Sequence, residues 1–241
     1  MSIYVVSDIH GCYKEFIAGL ELINFSAQDH LYILGDVIDR GSGSAELAQW
    51  LVEHEGEYTL LRGNHEEMML ETYREEDNWF HLHLGDDWAH NGGILTTGQL
   101  ELLDEDIFKE YIKVCKESAY YKQINVNGVD YLLVHAGLYP GLPVEHQLPF
   151  DMVWVRKEWL LSSKRPEKFT VIFGHTPTPT IARIKEYIPE LADQEAGKIM
   201  KWKDRIAIDC GCVRGYNLGF LRLDDMQEFY IKKFEEEKDE E

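Results

Sequence analysis

Short apolar runs alternate with stretches of helical periodicity through the first third of the chain. Ile3–Ser7, Leu31–Leu34 and Leu60–Leu61 are aliphatic runs that end in glycine and polar residues, the pattern of buried strands feeding tight loops. Behind the first, Phe16, Ile17, Leu20 and Ile23 recur at helical spacing. Leu47, Trp50 and Leu51 follow the second, and Met68, Met69 and Tyr73 follow the third. Asp8, Asp36 and Asn64 stand at the three strand ends, roughly 28 residues apart. A repeated strand–helix unit of this kind suits parallel βαβ connections, which bring three loops to one edge of a sheet.

The remaining pattern is mixed. Between Glu75 and Gly98 the periodicity lapses into Trp79-Phe80-His81-Leu82-His83-Leu84 and Trp88-Ala89-His90-Asn91-Gly92-Gly93, which reads as an irregular or short-helical excursion. Its aromatics either rim a cleft or cover the core. His81 and His83 alternate like a metal pair but lack a third committed ligand, so they are left out of the site. Ile107, Phe108, Tyr111, Ile112 and Cys115 mark a helix over 104–118 with Asp104 as its N-cap. Asn127-Gly128 between Tyr121–Val126 and Val129–Val134 is the preferred pair for a type I′ hairpin turn. Phe169–Phe173 and Arg205–Ile208 read as further strands, and Leu218–Leu223 with Glu228–Phe234 as a closing hairpin.

Length and charge narrow the picture. A chain of 241 residues with a hydrophobic fraction of 44% suits one domain, 1–234, ending in a solvated acidic tail, 235–241. The formal charge of −20 argues against a nucleic-acid backbone or an anionic membrane as the main partner. Cys12, Cys115, Cys210 and Cys212 fit no disulfide framework. With no leader pattern and no spanning run, the chain reads as soluble and cytoplasmic.

The strand ends carry the chemistry. Ser7-Asp8-Ile9-His10-Gly11, Gly35-Asp36-Val37-Ile38-Asp39-Arg40-Gly41, Gly63-Asn64-His65-Glu66, His135-Ala136-Gly137-Leu138 and Gly174-His175-Thr176 each end an apolar run. Singly, such residues are helix caps, turns or satisfied polar side chains. Together Asp8, His10, Asp36, Asn64, His135 and His175 form an oxygen and imidazole donor set without thiolate. That set suits divalent ions of the Mn, Fe or Zn type. One ion does not need so many donors; two ions sharing a carboxylate do, and such a pair activates water for in-line displacement at phosphorus.

These five blocks, in this order, resemble the signature of the calcineurin-like metallophosphoesterases, and within them the phosphoprotein phosphatase branch that includes the bacteriophage lambda-type serine/threonine phosphatases. The resemblance runs from residue 7 to residue 176, and the segment around Asp209-Cys210-Gly211-Cys212 is also similar. It implies an α/β fold, a four-layer α-β-β-α sandwich of two mixed sheets flanked by helices. It further implies two divalent metal ions, manganese in vitro with iron or zinc as alternatives. Asp8 and His10 would hold the first, Asp36 would bridge, and Asn64, His135 and His175 would complete the second. His65 matches the family's general acid, with Asp39 as its orienting carboxylate, and an imidazolium beside a carboxylate keeps its proton near neutral pH. Arg40 matches a phosphate-binding arginine. Val153-Trp154-Val155-Arg156 resembles the segment that supplies the second, and Arg62 reads as structural.

The implied reaction is direct hydrolysis by a water held between the two ions, without a phosphoenzyme. The leading substrate class is phosphoserine or phosphothreonine in proteins, with small phosphoesters as artificial substrates. The alternative is diadenosine tetraphosphate or a related dinucleotide, on which relatives with the same core act. Asp39 favours the first reading, because some symmetrically cleaving dinucleotide hydrolases carry Ala there, although other relatives that keep the Asp are linked to dinucleotides too; Glu66 leans the same way. A catalytically silent phosphate-binding module would show eroded ligands, whereas all six, with His65 and Asp39, are present. Oligomeric state and the roles of Arg214 and Tyr216 stay open.

Overall fold

The computed structural model describes residues 1–76, 79–82, 86–164 and 168–235, with backbone alone for 75, 76 and 79–82. The predicted repeat appears as β1 (Ile3–Val6), α1 (Tyr13–Leu22), β2 (His30–Ile33), α2 (Ser44–Glu53), β3 (Tyr58–Leu60) and α3 (Asn64–Thr72). The three strands are parallel, with Val6 opposite Ile33 and Ile33 opposite Leu60, so their carboxyl ends open at one edge. Next come β4 (Tyr73–Glu76), β5 (Trp79–Leu82), α4 (Asp86–Trp88), α5 (Ile94–Leu100) and α6 (Glu105–Glu117). The second half contains β6 (Tyr121–Val126), β7 (Val129–Val134), α7 (Pro149–Trp154), α8 (Lys157–Leu160), β8 (Thr170–Phe173) and α9 (Thr178–Ile181). It ends with β9 (Met200–Trp202), β10 (Arg205–Ala207), β11 (Asn217–Arg222) and β12 (Gln227–Lys232).

Two five-stranded mixed sheets result, in the orders β12-β11-β1-β2-β3 and β6-β7-β8-β10-β9. The period-two alternation of each strand sorts its side chains between layers. Val5, Leu221, Leu133 and Ile172 meet in one buried cluster between the sheets. Tyr4, Val6 and Phe220 face the other way, onto Phe16 of α1 and Leu47, Trp50 and Leu51 of α2. In the second sheet Leu132, Val134, Val171 and Phe173 turn outward onto Met152 of α7 and Trp159 and Leu160 of α8. Helix, sheet, sheet and helix therefore stack as the resemblance implies. A one-residue slip in β1 would exchange the two faces.

Local signals hold where backbone chemistry decides. Asn127 and Gly128 have φ of 51° and 83°, as a type I′ turn requires. The Asp104 carboxylate accepts from the Asp106 N–H at 2.9 Å and caps α6. The excursion is short-helical in its second half, as its pattern predicts, and adds a ribbon that the pattern does not. It opens with an antiparallel ribbon, Tyr73 opposite Leu82, and continues as helical backbone from Asp86 to Leu100 through a widened turn at Ala89–Gly93. The Arg74-Glu75-Glu76 strand has no apolar alternation to betray it, since the ribbon is a sheet apart from the two large ones. His83, the side chain of His81 and residues 236–241 lie outside the described residues. Cys210 and Cys212 flank Gly211 beyond β10, and both are buried free thiols. Among the described residues no helix is long and apolar enough to cross a membrane.

Candidate metal-dependent phosphoesterase site

All five motif blocks leave parallel strands at one edge: Asp8 and His10 after β1, Asp36 to Arg40 after β2, Asn64 and His65 after β3, His135 after β7 and His175 after β8. The backbone there is strained. Asp8, His10, Asp36, Asp39, Arg40 and His175 all have positive φ, between 48° and 75°, where side-chain-bearing residues rarely sit. Such strain persists only where the surroundings over-determine it, and it concentrates at functional sites. Glu66 supplies part of that determination. Its buried carboxylate accepts the N–H groups of Asp36 at 2.9 Å, Val37 at 2.8 Å and Gly63 at 3.0 Å, tying the second loop to the third. Gly63 admits no side chain, because a Cβ there would lie 2.3 Å from Asp36 Oδ1.

Asp36 joins two donor clusters. His10 Nε2 is 3.5 Å from Asp36 Oδ2, and His135 Nε2 is 3.4 Å from Asp36 Oδ1. Asn64 Oδ1 and His175 Nδ1 lie 3.0 and 3.2 Å from the same His135 nitrogen. Asp8 is held beside them, accepting from the His175 N–H at 3.0 and 2.9 Å and from Ser7 Oγ at 2.5 Å. The His10 and His135 rings each place Nδ1 against a carbonyl, Ile38 O at 2.9 Å and Leu34 O at 2.6 Å. Each therefore donates from Nδ1 and turns Nε2 inward.

Electrostatics follow from this crowding. Burial, then the neighbouring cationic groups, holds His10 and His175 well below the usual histidine range. Burial also acts to lower His135, but the Asp36 charge and hydrogen bond overcome it and lift the ring to about 9. Asp36 sits well below the carboxylate range because His135, His65 and His10 outweigh its burial, whereas burial raises Asp8. The groups His10–Asp36–His65 and Asp36–His135–His175 each place ligand atoms within 4.8 Å of one another, and His175 Nε2 is buried without a partner. Inward-facing imidazole nitrogens, carboxylates and an amide oxygen around a shared Asp36 fit a pair of divalent cations.

Beside the clusters, His65 Nδ1 contacts Asp39 Oδ2 at 2.5 Å, and the Trp88 indole N–H donates to the same oxygen at 2.8 Å. Arg40 reaches across the mouth, with Nη2 2.8 Å from His65 Nε2 and Nη1 on His10 Nε2. Arg156 donates from Nη1 to His175 O at 3.0 Å and to Thr176 Oγ1 at 3.3 Å. Asp8, His10, Asp36, Asn64, His135 and His175 thus lie at one strand edge with His65, Asp39, Arg40 and Arg156, although Asp8 contacts Ser7 and the His175 backbone while the donor group around His10 is completed by Asp36 and His65. Arg62 instead ties α3 to the end of α6 through Glu67, Cys115 O and Lys116 O. Sequence reasoning missed the Glu66 clamp, Trp88 and Asp209, whose buried carboxyl is pushed well above its usual range by burial and by Asp8. Trp88 stands in the sequence only as one aromatic of the 75–98 excursion, with nothing there to mark its contact with Asp39.

Buried oxygen and nitrogen donors around one shared carboxylate, with arginines at the rim, define a metal-dependent phosphoesterase. The chain belongs to the calcineurin-like phosphoesterase family, whose model matches residues 1–208. A symmetrical bis(5′-nucleosyl)-tetraphosphatase of Chromobacterium violaceum is 26% identical over 96% of this chain and 95% of its own length. Serine/threonine-protein phosphatase 2 of Salmonella typhimurium is 29% identical over 92% of both chains. Among solved structures, a candidate diadenosine tetraphosphatase superposes with a TM-score of 0.66 at 18% identity, covering 97% of this chain and 94% of that one, a likeness of fold.

Proposed function

We propose that this metallophosphoesterase hydrolyses dinucleoside polyphosphates of the diadenosine tetraphosphate kind. The motifs taken alone favour phosphoserine and phosphothreonine. The observation that favours the dinucleotide is that symmetrical tetraphosphatases of several bacteria resemble this chain, one of them nearly end to end. In this reading Asp8 and His10 would hold one divalent ion, Asn64, His135 and His175 would hold the other, and Asp36 lies within reach of both groups. When bound, the ions supply Lewis acidity and a nucleophilic water at neutral pH. Arg40 and Arg156 grip the transferring phosphoryl group through their planar guanidinium forks. Asp39 holds the Nδ1–H of His65; Nε2, which accepts from Arg40 here, delivers a proton to the departing oxygen when the ring is protonated and Arg40 has turned to the phosphoryl group.

One observation favours the second reading, a serine/threonine phosphatase. A leaving phosphate is a weak base and asks little of a general acid, whereas a leaving serine or threonine alkoxide asks for full protonation. The buried His65–Asp39 contact of 2.5 Å suits that heavier demand. The test compares kcat/KM for diadenosine tetraphosphate and for a phosphothreonine peptide after reconstitution with Mn²⁺. A hundredfold preference for the dinucleotide supports the proposal; the reverse preference replaces it with the phosphatase.

A further inference from the structure

The helical segment from Asp86 to Leu100 is fastened to the loop that follows β2. Trp88 donates to Asp39, and Gln99 accepts from the Ser44 N–H at 2.7 Å while donating to Gly41 O at 3.3 Å. Gly92, at φ 116°, packs so closely that a Cβ would meet the Arg40 nitrogen at 2.8 Å. Yet this anchored segment leaves Ile94 69% and Leu95 48% exposed. The two branched side chains, with Gly92, Gly98, Gln99 and Arg40, line an open cleft of about 510 Å³. Two exposed aliphatic side chains alone say little, and it is their place on a fixed backbone beside Arg40 that makes the cleft a candidate subsite.

We propose that this cleft receives the heterocyclic base of the leaving nucleotide, a subsite that rests on the dinucleotide reading above. Three observations converge on it. Arg40 stands between the cleft and the catalytic mouth: its backbone nitrogen and Cγ lie against Gly92, and its Nη2 is 2.8 Å from His65 Nε2. Its lining is apolar apart from Arg40 and Gln99, and the Gln99 amide is already engaged by Ser44 and Gly41. A planar, weakly polar ring is the part of such a substrate that gains from an aliphatic wall, while Arg40 serves its phosphates. With no lining amide committed to the ring edge, the cleft holds adenine and guanine alike.

The test uses the full chain carrying Ile94→Ser and Leu95→Ser together, both at exposed positions, with thermal unfolding as the check on folding. The ratio of kcat/KM for diadenosine tetraphosphate to that for inorganic tripolyphosphate should fall about tenfold, through the KM of the dinucleotide. Diguanosine tetraphosphate should fall with it. An unmoved ratio overturns the subsite. Failure of the function reads differently. If wild-type protein ignores the dinucleotide while the 1-naphthyl phosphate to methyl phosphate ratio still falls in the variant, the function falls and the leaving-group subsite stands. If neither ratio moves, the subsite falls.

Discussion

The individual side chains of the site are legible in the sequence because their chemistry is scarce. Asp8, His10, Asp36 and His175 combine metal-competent donors with positive φ, two demands few positions satisfy together. Asp36 contacts both imidazole groups, so replacing it by Asn should cost more than about 10²-fold in metal-dependent kcat/KM. Undiminished turnover in that variant sinks the shared-carboxylate assignment. His65→Asn should slow alkyl phosphates by roughly 10²- to 10⁴-fold, the usual worth of a general acid, and nitrophenyl phosphate much less. Equal losses on both esters contradict proton donation by His65. Glu66 shows what sequence conceals. Its three backbone partners lie in loops that only folding brings together, so beside Asn64 and His65 it looks like an ordinary helix-start carboxylate. Glu66→Gln turns an amide toward N–H groups and should cost about 1–3 kcal/mol in urea unfolding.

Elements with strong periodicity or specific turn chemistry are found from the pattern alone. The βαβ repeat and the Asn127-Gly128 hairpin are of this kind, because local rules and tertiary packing ask for the same residues. The segment 73–100 is not, since its ribbon lacks an apolar face to read and its helix bends through Gly92 to reach Arg40. That helix has a role at the site through Trp88, whose indole N–H shares Asp39 Oδ2 with His65. Trp88→Phe keeps an aromatic ring in the site, though a smaller one, and removes the N–H donor. The freed carboxylate should hold His65 less firmly, lowering kcat for alkyl phosphates about tenfold while KM stays within about twofold. A purely structural Trp88 would lower stability and leave the leaving-group dependence unchanged, so rates across a series of phosphate esters decide the matter.

At the scale of the whole molecule, the formal charge of −20 and the buried donor cluster make stability a function of metal and pH together. Without metal, His135 carries a proton up to about 9, above the ordinary histidine value of about 6.5 in an unfolded chain. Its stabilisation by Asp36 is fully present below the unfolded value and is lost as pH rises through about 9. Coordination through Nε2 requires that same proton to leave, since Nδ1 faces Leu34 O. Metal affinity should therefore rise about tenfold per pH unit below about 9, with release of one proton from this residue. Between pH 6 and 8 that is about 10²-fold in Kd, or about 2.7 kcal/mol of added stability at fixed Mn²⁺. For a chain of this size each kcal/mol moves the midpoint by roughly 2–4 °C, so the Mn²⁺-induced rise in Tm should grow by roughly 5–10 °C across that range. Thermal unfolding with EDTA and with Mn²⁺ at both pH values measures the difference. A metal increment independent of pH would remove His135 from the ligand set, whereas its disappearance in His135→Ala, with the folded state retained, would fix the proton and the metal on one nitrogen.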